Sequence, residues 1–184
     1  QISGIDSDTF EKTSTAIKTR GFWLGTNLLT ALIAASVINI FKETLEQVIF
    51  LAVLMPIIAS MGGVAATQTL TITVRGLALG QIVRANYLYI FNRELMVGIS
   101  NGFIWAVILS LIACSWFQDW LLAWVICLSM IINLIAGVLS GMGIPILLKG
   151  LKMDPAVAGS VIVTTVTDVI GFFSFLGLAT YFYS

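Results

Sequence analysis

The 184 residues carry nine basic and nine acidic side chains, and 59% are hydrophobic while only 10% are charged. A soluble domain draws about 25% of its residues from the charged types, so this chain cannot cover a water-facing surface and reads as an integral membrane protein solvated by lipid. Neutral balance and a pI near 6.4 exclude a polybasic nucleic-acid binder, and the lack of histidine excludes His-ligated metals and Ser-His-Asp catalysis; the chain is not expected to be an enzyme.

Residues 1–20 hold Asp6, Asp8, Glu11, Lys12, Lys18 and Arg20 with no apolar core, so they do not form a signal peptide. They read as a polar, helix-capable lead-in, the tail of a preceding element, before a membrane domain at 21–184. The charges then divide the chain into five long stretches, uncharged except for Asp168 in the last: Phe22 to Phe41, Val48 to Val74, Leu95 to Gln118, Trp120 to about Leu148, and Pro155 to Ser184. Each can cross a hydrocarbon core of about 30 Å at 1.5 Å per residue. Backbone in lipid must satisfy itself within helices or closed barrels, and long runs without alternating polarity are helices. The expected fold is an all-α membrane domain of five transmembrane helices. An odd number of spans and the lack of an internal repeat weigh against a fold built from equal inverted repeats. Pro145, near the end of the fourth stretch, predicts a bend or an early end to that helix.

Lys and Arg are retained in cytoplasmic loops. Eight of the nine basic residues fall in the lead-in, the loop holding Arg75, Arg84 and Arg93, and the loop holding Lys149 and Lys152; Lys42 alone falls on the other side. The N-terminus is therefore expected to be cytoplasmic and the C-terminus external. Trp23, Tyr87 and Tyr89 then lie near the inner interface, and Trp116, Trp120, Tyr181 and Tyr183 near the outer one. Cys114 and Cys127 lie within apolar runs and read as packing residues.

Within the five stretches the sole ionisable side chain is Asp168. An Asp at a helix centre costs about 2.5–3.5 kcal/mol on insertion scales, so it needs a reason. It belongs to a small or polar stripe of Ser160, Thr164, Thr167, Asp168, Gly171 and Ser174. A second stripe of Gly63, Thr67 and Thr71 follows Pro56 and the Gly62-Gly63 pair. Paired glycines permit close helix approach, or break the backbone and present carbonyl oxygens to an ion. The two stripes supply oxygen ligands without sulfur or imidazole, which suits Mg²⁺, Ca²⁺ or Mn²⁺. One carboxylate per chain is thin provision for a divalent cation, and a two-fold homodimer would bring two Asp168 side chains to a shared axis. Asp154, before Pro155, marks the inner mouth and also suits an N-cap; Glu43 and Glu46 read as a solvated loop. Three readings remain open on these residues: a divalent cation channel, an exchanger coupled to Na⁺ or H⁺, and a non-conducting scaffold.

The order of these motifs resembles the membrane domain of the MgtE family of magnesium channels, related to the solute-carrier magnesium transporters of animals. The resemblance covers essentially the whole chain. It rests on the five spans and their charge layout, on Pro56 followed by Gly62-Gly63-Val64-Ala65-Ala66-Thr67-Gln68-Thr69 and Val74-Arg75-Gly76-Leu77-Ala78, and on Asp154-Pro155 followed by Thr164-Thr165-Val166-Thr167-Asp168. It implies a homodimer of ten helices in the inner membrane of a prokaryote, with a pore lined by the second and fifth helices. Hydrated Mg²⁺ would be held at Asp168, with Gly63, Thr67, Thr71, Ser160 and Thr164 lining the ion site. It also implies a cytoplasmic regulatory region with paired CBS domains in the full-length protein, and residues 1–20 resemble the end of the plug helix that joins it. The chain departs from the family's GGNxGNQ pattern, since Val64 and Thr67 replace asparagines; Val64 can neither donate nor accept, which opens selectivity to Ca²⁺ or Mn²⁺.

Overall fold

The computed structural model describes residues 13–183; Asp6, Asp8, Glu11 and Lys12 of the lead-in, and Ser184, lie outside the described residues. The described residues form α1 (Thr13–Ile40), a short α2 (Lys42–Gln47), α3 (Phe50–Ala78), a 3₁₀ turn (Arg84–Asn86), α4 (Tyr87–Phe117), α5 (Trp120–Gly150) and α6 (Val157–Tyr183). Five helices are long and apolar enough to cross a membrane, one for each long stretch. Their ends run past those stretches because a helix continues into the interfacial layer until its terminal groups find partners. Thus α4 begins at Tyr87 and carries Arg93 and Glu94 within it.

At two places the structure decides between alternatives that the sequence left open, and at Pro145 the early end is not found. Proline cannot donate to the carbonyl of Gly141, yet α5 runs on for five residues beyond Pro145. An early stop would strand several more carbonyls in apolar surroundings, a larger cost than one missing hydrogen bond. The continued turn is also useful, since Lys149 donates from Nζ to the Leu77 carbonyl at 3.1 Å and ties α5 to the end of α3. Likewise α3 passes through Gly62-Gly63 without a break, so of the two expected uses of the glycine pair it is close approach that the fold adopts.

The most buried of the five, α5, packs against α3, α4 and α6. Its side chains at Asn133, Gly137 and Gly141 recur at steps of four and make one small-residue edge, against which α3 lies almost backbone to backbone. A methyl group at Gly137 would sit 2.8 Å from the Gly62 carbonyl, and one at Gly141 2.5 Å from the Ala66 carbonyl. Gly98 and Gly102 of α4 take up Val138 and Leu134 of α5 in the same manner. Lipid provides no hydrophobic drive between helices, so the packing attraction gained by such close approach is what holds them. Bulkier side chains fill one half of the bundle, where Leu51, Leu54, Ile58, Leu122, Val125, Ile126, Phe175 and Leu176 form the main apolar core. By contrast α1 lies along α6 and, among the described residues, buries only Ala34 and Val37.

The end of the bundle beside that core is fastened by polar pairs. Thr44 and Thr180 share a hydroxyl hydrogen bond of 2.7 Å. Asp119 caps α5 by accepting from the backbone N–H groups of Leu121 and Leu122, and its other oxygen accepts from the Tyr183 hydroxyl. Burial pushes the Asp119 carboxyl up, but the hydrogen bonds from Tyr183, Leu122 and Leu121 together hold it below the ordinary carboxylate range. A depressed carboxylate stabilises the fold above the unfolded pKa of about 3.9, and that contribution disappears as pH falls through the folded value.

The packing and the cap can each be tested. Gly141→Ala, pressed on a backbone carbonyl, should destabilise by about 1–3 kcal/mol, whereas Gly143→Ala, two residues away with open space around it, should stabilise by up to about 1 kcal/mol; thermal unfolding of the detergent-solubilised protein reads both. Tyr183→Phe should cost about 1 kcal/mol at pH 7, and the gap from the parent protein should narrow as the buffer is taken from pH 5 to below pH 3.

Candidate functional site

The residues singled out on α3 meet Thr164 of α6 on one side of the bundle, where these two helices are neighbours. An open groove of about 660 Å³ is lined by Ser60, Gly63, Thr67, Gln68 and Thr71 of α3 and by Thr164 of α6. Gly63 is not crowded here: a methyl group there would meet the Thr167 hydroxyl at 4.0 Å, an ordinary contact distance. A second concavity of about 510 Å³ shares Thr71 and extends past Arg75 to Ala156, carrying the path to the end of the bundle where α3 and α5 terminate. Asp154 stands at that end, exposed, with Oδ1 accepting from the Ala156 N–H at 2.8 Å. Ala156 precedes the first residue of α6, so this bond closes a turn ahead of the helix rather than capping it, and Asp154 does not line the groove itself.

Asp168 is the twelfth of the 27 residues of α6, about 16 Å along the helix at 1.5 Å per residue, close to its middle. Its side chain is partly exposed, one helical turn beyond Thr164 and adjacent to the groove rather than among its lining residues. Ser160 lies one turn the other way and is exposed; of the α6 stripe, Thr164 faces the α3 residues across the groove, while Thr167 and Gly171 are buried. Among the described residues no group of three carboxylates, thiols or imidazoles converges, so Asp168 is not part of a ready-made metal cage within one chain.

The hydroxyls are oriented by the helix itself. Thr67 donates to the Gly63 carbonyl and Thr71 to the Thr67 carbonyl, each at 2.8 Å, and Thr164 donates to the Ser160 carbonyl at 2.9 Å. Each hydroxyl hydrogen is thus committed to the backbone four residues back, and each Oγ1 keeps lone pairs for the groove. The groove is a surface of acceptors. Val64 and Ile72 add apolar wall without polar atoms.

Asn133 is the residue that sequence patterns passed over. It has no exposed surface and projects from α5 between Gly62 of α3 and Gly171 of α6. A methyl group on Gly62 would overlap its amide, and one on Gly171 would lie 2.7 Å from Nδ2. Nδ2 donates to the Ile58 carbonyl at 2.9 Å, while Oδ1 has no hydrogen-bond partner among the described residues. One amide therefore fixes the spacing of both groove-forming helices from behind. Its signal in the sequence was an uncharged polar residue inside an otherwise apolar run, in register with Gly137 and Gly141.

The fold and this groove define a multi-pass, all-helical membrane protein whose mid-helix carboxylate and hydroxyl acceptors are suited to a hard cation. Comparison with known proteins narrows the class. The family model for MgtE, described as a divalent cation transporter, matches residues 55–178, and the chain belongs to that family. It is 34% identical over 180 residues to the magnesium transporter MgtE of Bacillus subtilis. It is 28% identical over 182 residues to the protein of that name from Enterococcus faecalis, and 29% over 157 residues to that of Thermus thermophilus. These alignments cover 98%, 98% and 85% of this chain but only 40%, 40% and 35% of the relatives, so the chain spans well under half the length of the curated proteins it matches.

The notch around Asn133 makes a coupled prediction. Asn133→Ala should cost about 2–4 kcal/mol through the lost hydrogen bond and the space left behind. Gly171→Ala should also destabilise alone, yet restore part of the loss when placed in the Asn133→Ala background, with a coupling of about 0.5–3 kcal/mol. Additive losses in a thermal-unfolding double-mutant cycle would show that the amide does not set the α5–α6 spacing.

Proposed function

We propose that this chain forms the conducting domain of a magnesium channel, with the pore between two protomers and Asp168 as its central ion-binding carboxylate. The observation that carries the reading is the adjacency of Asp168, midway along α6, to an acceptor-lined groove that lies open on the flank of a single protomer. A carboxylate at that depth, with no hydrogen bond or ion pair from the described residues, is costly unless a cation or a second chain attends it. A two-fold copy placed with its own groove opposed would close the channel wall and set two carboxylates about one axis. Magnesium enters the reading from the names of the three relatives.

Mg²⁺ releases its water reluctantly, and the groove suits an ion that keeps its shell. Water bound to a cation points its hydrogens outward, where Oγ1 of Thr67, Thr71 and Thr164 offer lone pairs and Asp168 offers charge. Ser160 extends the same polar surface along α6, and Gly63 leaves room beside it on α3. Selectivity would then arise from how many acceptors match the hydrated ion; Val64 supplies none, which leaves Ca²⁺ and Mn²⁺ as competitors to be measured. The end of the bundle holding Lys18, Arg20, Arg75, Arg84, Lys149 and Lys152 is assigned to the cytoplasm of a prokaryotic plasma membrane by the retention of basic residues on that side. Asp154 then stands at the inner mouth. A cytoplasmic CBS-type regulatory domain in the full-length protein is consistent with the extra length of the relatives.

Mg²⁺ uptake into liposomes at clamped potential, without Na⁺ or pH gradients, tests the proposal. Two unit charges about 4 Å apart interact by about 4 kcal/mol at an effective dielectric of 20, and about 1.4 kcal/mol is tenfold, so Asp168→Asn should reduce uptake by roughly a thousandfold while the protein still folds. Uptake that requires an imposed Na⁺ or H⁺ gradient would replace the channel with a coupled exchanger. Equal uptake by the parent protein and Asp168→Asn would remove Asp168 from the ion path.

A further inference from the structure

A second carboxylate lies inside the bundle, away from the groove. Glu94 is the eighth residue of α4 and only 4% exposed, in a helix of which the sequence left it just outside the uncharged stretch. Its nearest cation is the adjacent Arg93, at 3.7 Å from Oε1, beyond hydrogen-bonding distance. The Arg93 side chain is 63% exposed, so the guanidinium pairs with the carboxylate from the rim, without a hydrogen bond. A buried carboxylate engaged this weakly calls for a further partner.

Between α3, α4 and α5 lies a cavity of about 230 Å³ to which Glu94 contributes together with Asn101 of α4 and Gln68 and Thr69 of α3. Asn101 donates from Nδ2 to the Val97 carbonyl at 3.1 Å, which leaves its Oδ1 as an acceptor. The cavity walls thus hold a carboxylate, two carboxamide oxygens and a hydroxyl, the donor set of a hard cation, and there is room for accompanying water. Charge decides which cation. With Arg93 already paired to the one carboxylate, a monovalent cation adds one uncompensated positive charge to a low-dielectric cavity and a dication adds two, so the smaller charge is favoured.

We propose that this cavity is a monovalent-cation site, suited to Na⁺, with Glu94 as the charged ligand and Asn101, Gln68 and Thr69 as neutral ones. The site does not depend on the pore reading, but it touches the groove through Gln68, which lines both spaces. Because α3 and α4 meet directly over little of their length, an ion held between them would brace α3 from the side opposite α6.

The test is thermal unfolding of the purified protein in detergent with chelator present, comparing NaCl with choline chloride at equal ionic strength. Na⁺ should raise Tm logarithmically with concentration above Kd, by about 2–4 °C at several-fold excess over Kd, and do so equally in Asp168→Asn, which separates this site from the groove. Glu94→Gln should abolish the rise. Asn101→Ala, which keeps the charge, should demand at least about tenfold more Na⁺ for the same shift, as expected for the loss of about 1.4 kcal/mol of binding, and it carries the test if Glu94→Gln does not fold. No difference between Na⁺ and choline, or an undiminished rise in both variants, would overturn the site. A Tm that responds at Glu94 to Mg²⁺ and not Na⁺ would overturn the monovalent assignment.

Discussion

A full-sized polar side chain, Asn133, sits with no exposed surface in a notch that exists because Gly62 and Gly171 have no side chains. The rest of the bundle follows from that fit. Its amide donates to the Ile58 carbonyl and so pins α3; its flank meets Gly171 and so sets α6. In lipid the alternative to such a hydrogen bond is an unsatisfied group in hydrocarbon, which makes the position demanding as well as specific. Below it Gly137 and Gly141 keep α3 against α5 at backbone distance. The groove is the opposite face of this arrangement, its two walls being the outer sides of helices whose inner sides are fixed on α5.

The same medium explains the chemistry of the groove. Backbone groups in hydrocarbon must be paired within the helix, so α3 remains helical through Gly62-Gly63 and α5 through Pro145. Threonine hydroxyls on such helices donate to the preceding turn and present their oxygens outward. A row of threonines thereby becomes a row of acceptors while the helix stays intact.

The spans were legible because hydropathy and charge are properties of runs of residues, and their ends were displaced only where helices continue into the interface, as at Tyr87 and Gly150. Candidate groove residues were legible because Gly63, Thr67 and Thr71 repeat at helical spacing. Asn133 and Glu94 were not. An uncharged amide in a long apolar run carries no mark of what it faces, and a glutamate beside an arginine at the edge of such a run reads as a solvated loop until the helix is seen to extend past it.

Sequence alone determined that this chain lives in lipid, that five helices cross it, and which faces of the second and fifth carry oxygen donors, since each of these depends on local composition and a fixed helical period. Only the tertiary structure decided that α5 is the spine, that Thr164 rather than Ser160 faces the α3 hydroxyls, and that Glu94 turns inward beside Asn101. Those outcomes depend on which helix packs on which and at what rotation. That is settled by close approach at a few glycines, through short-range packing forces that act between residues distant in the chain.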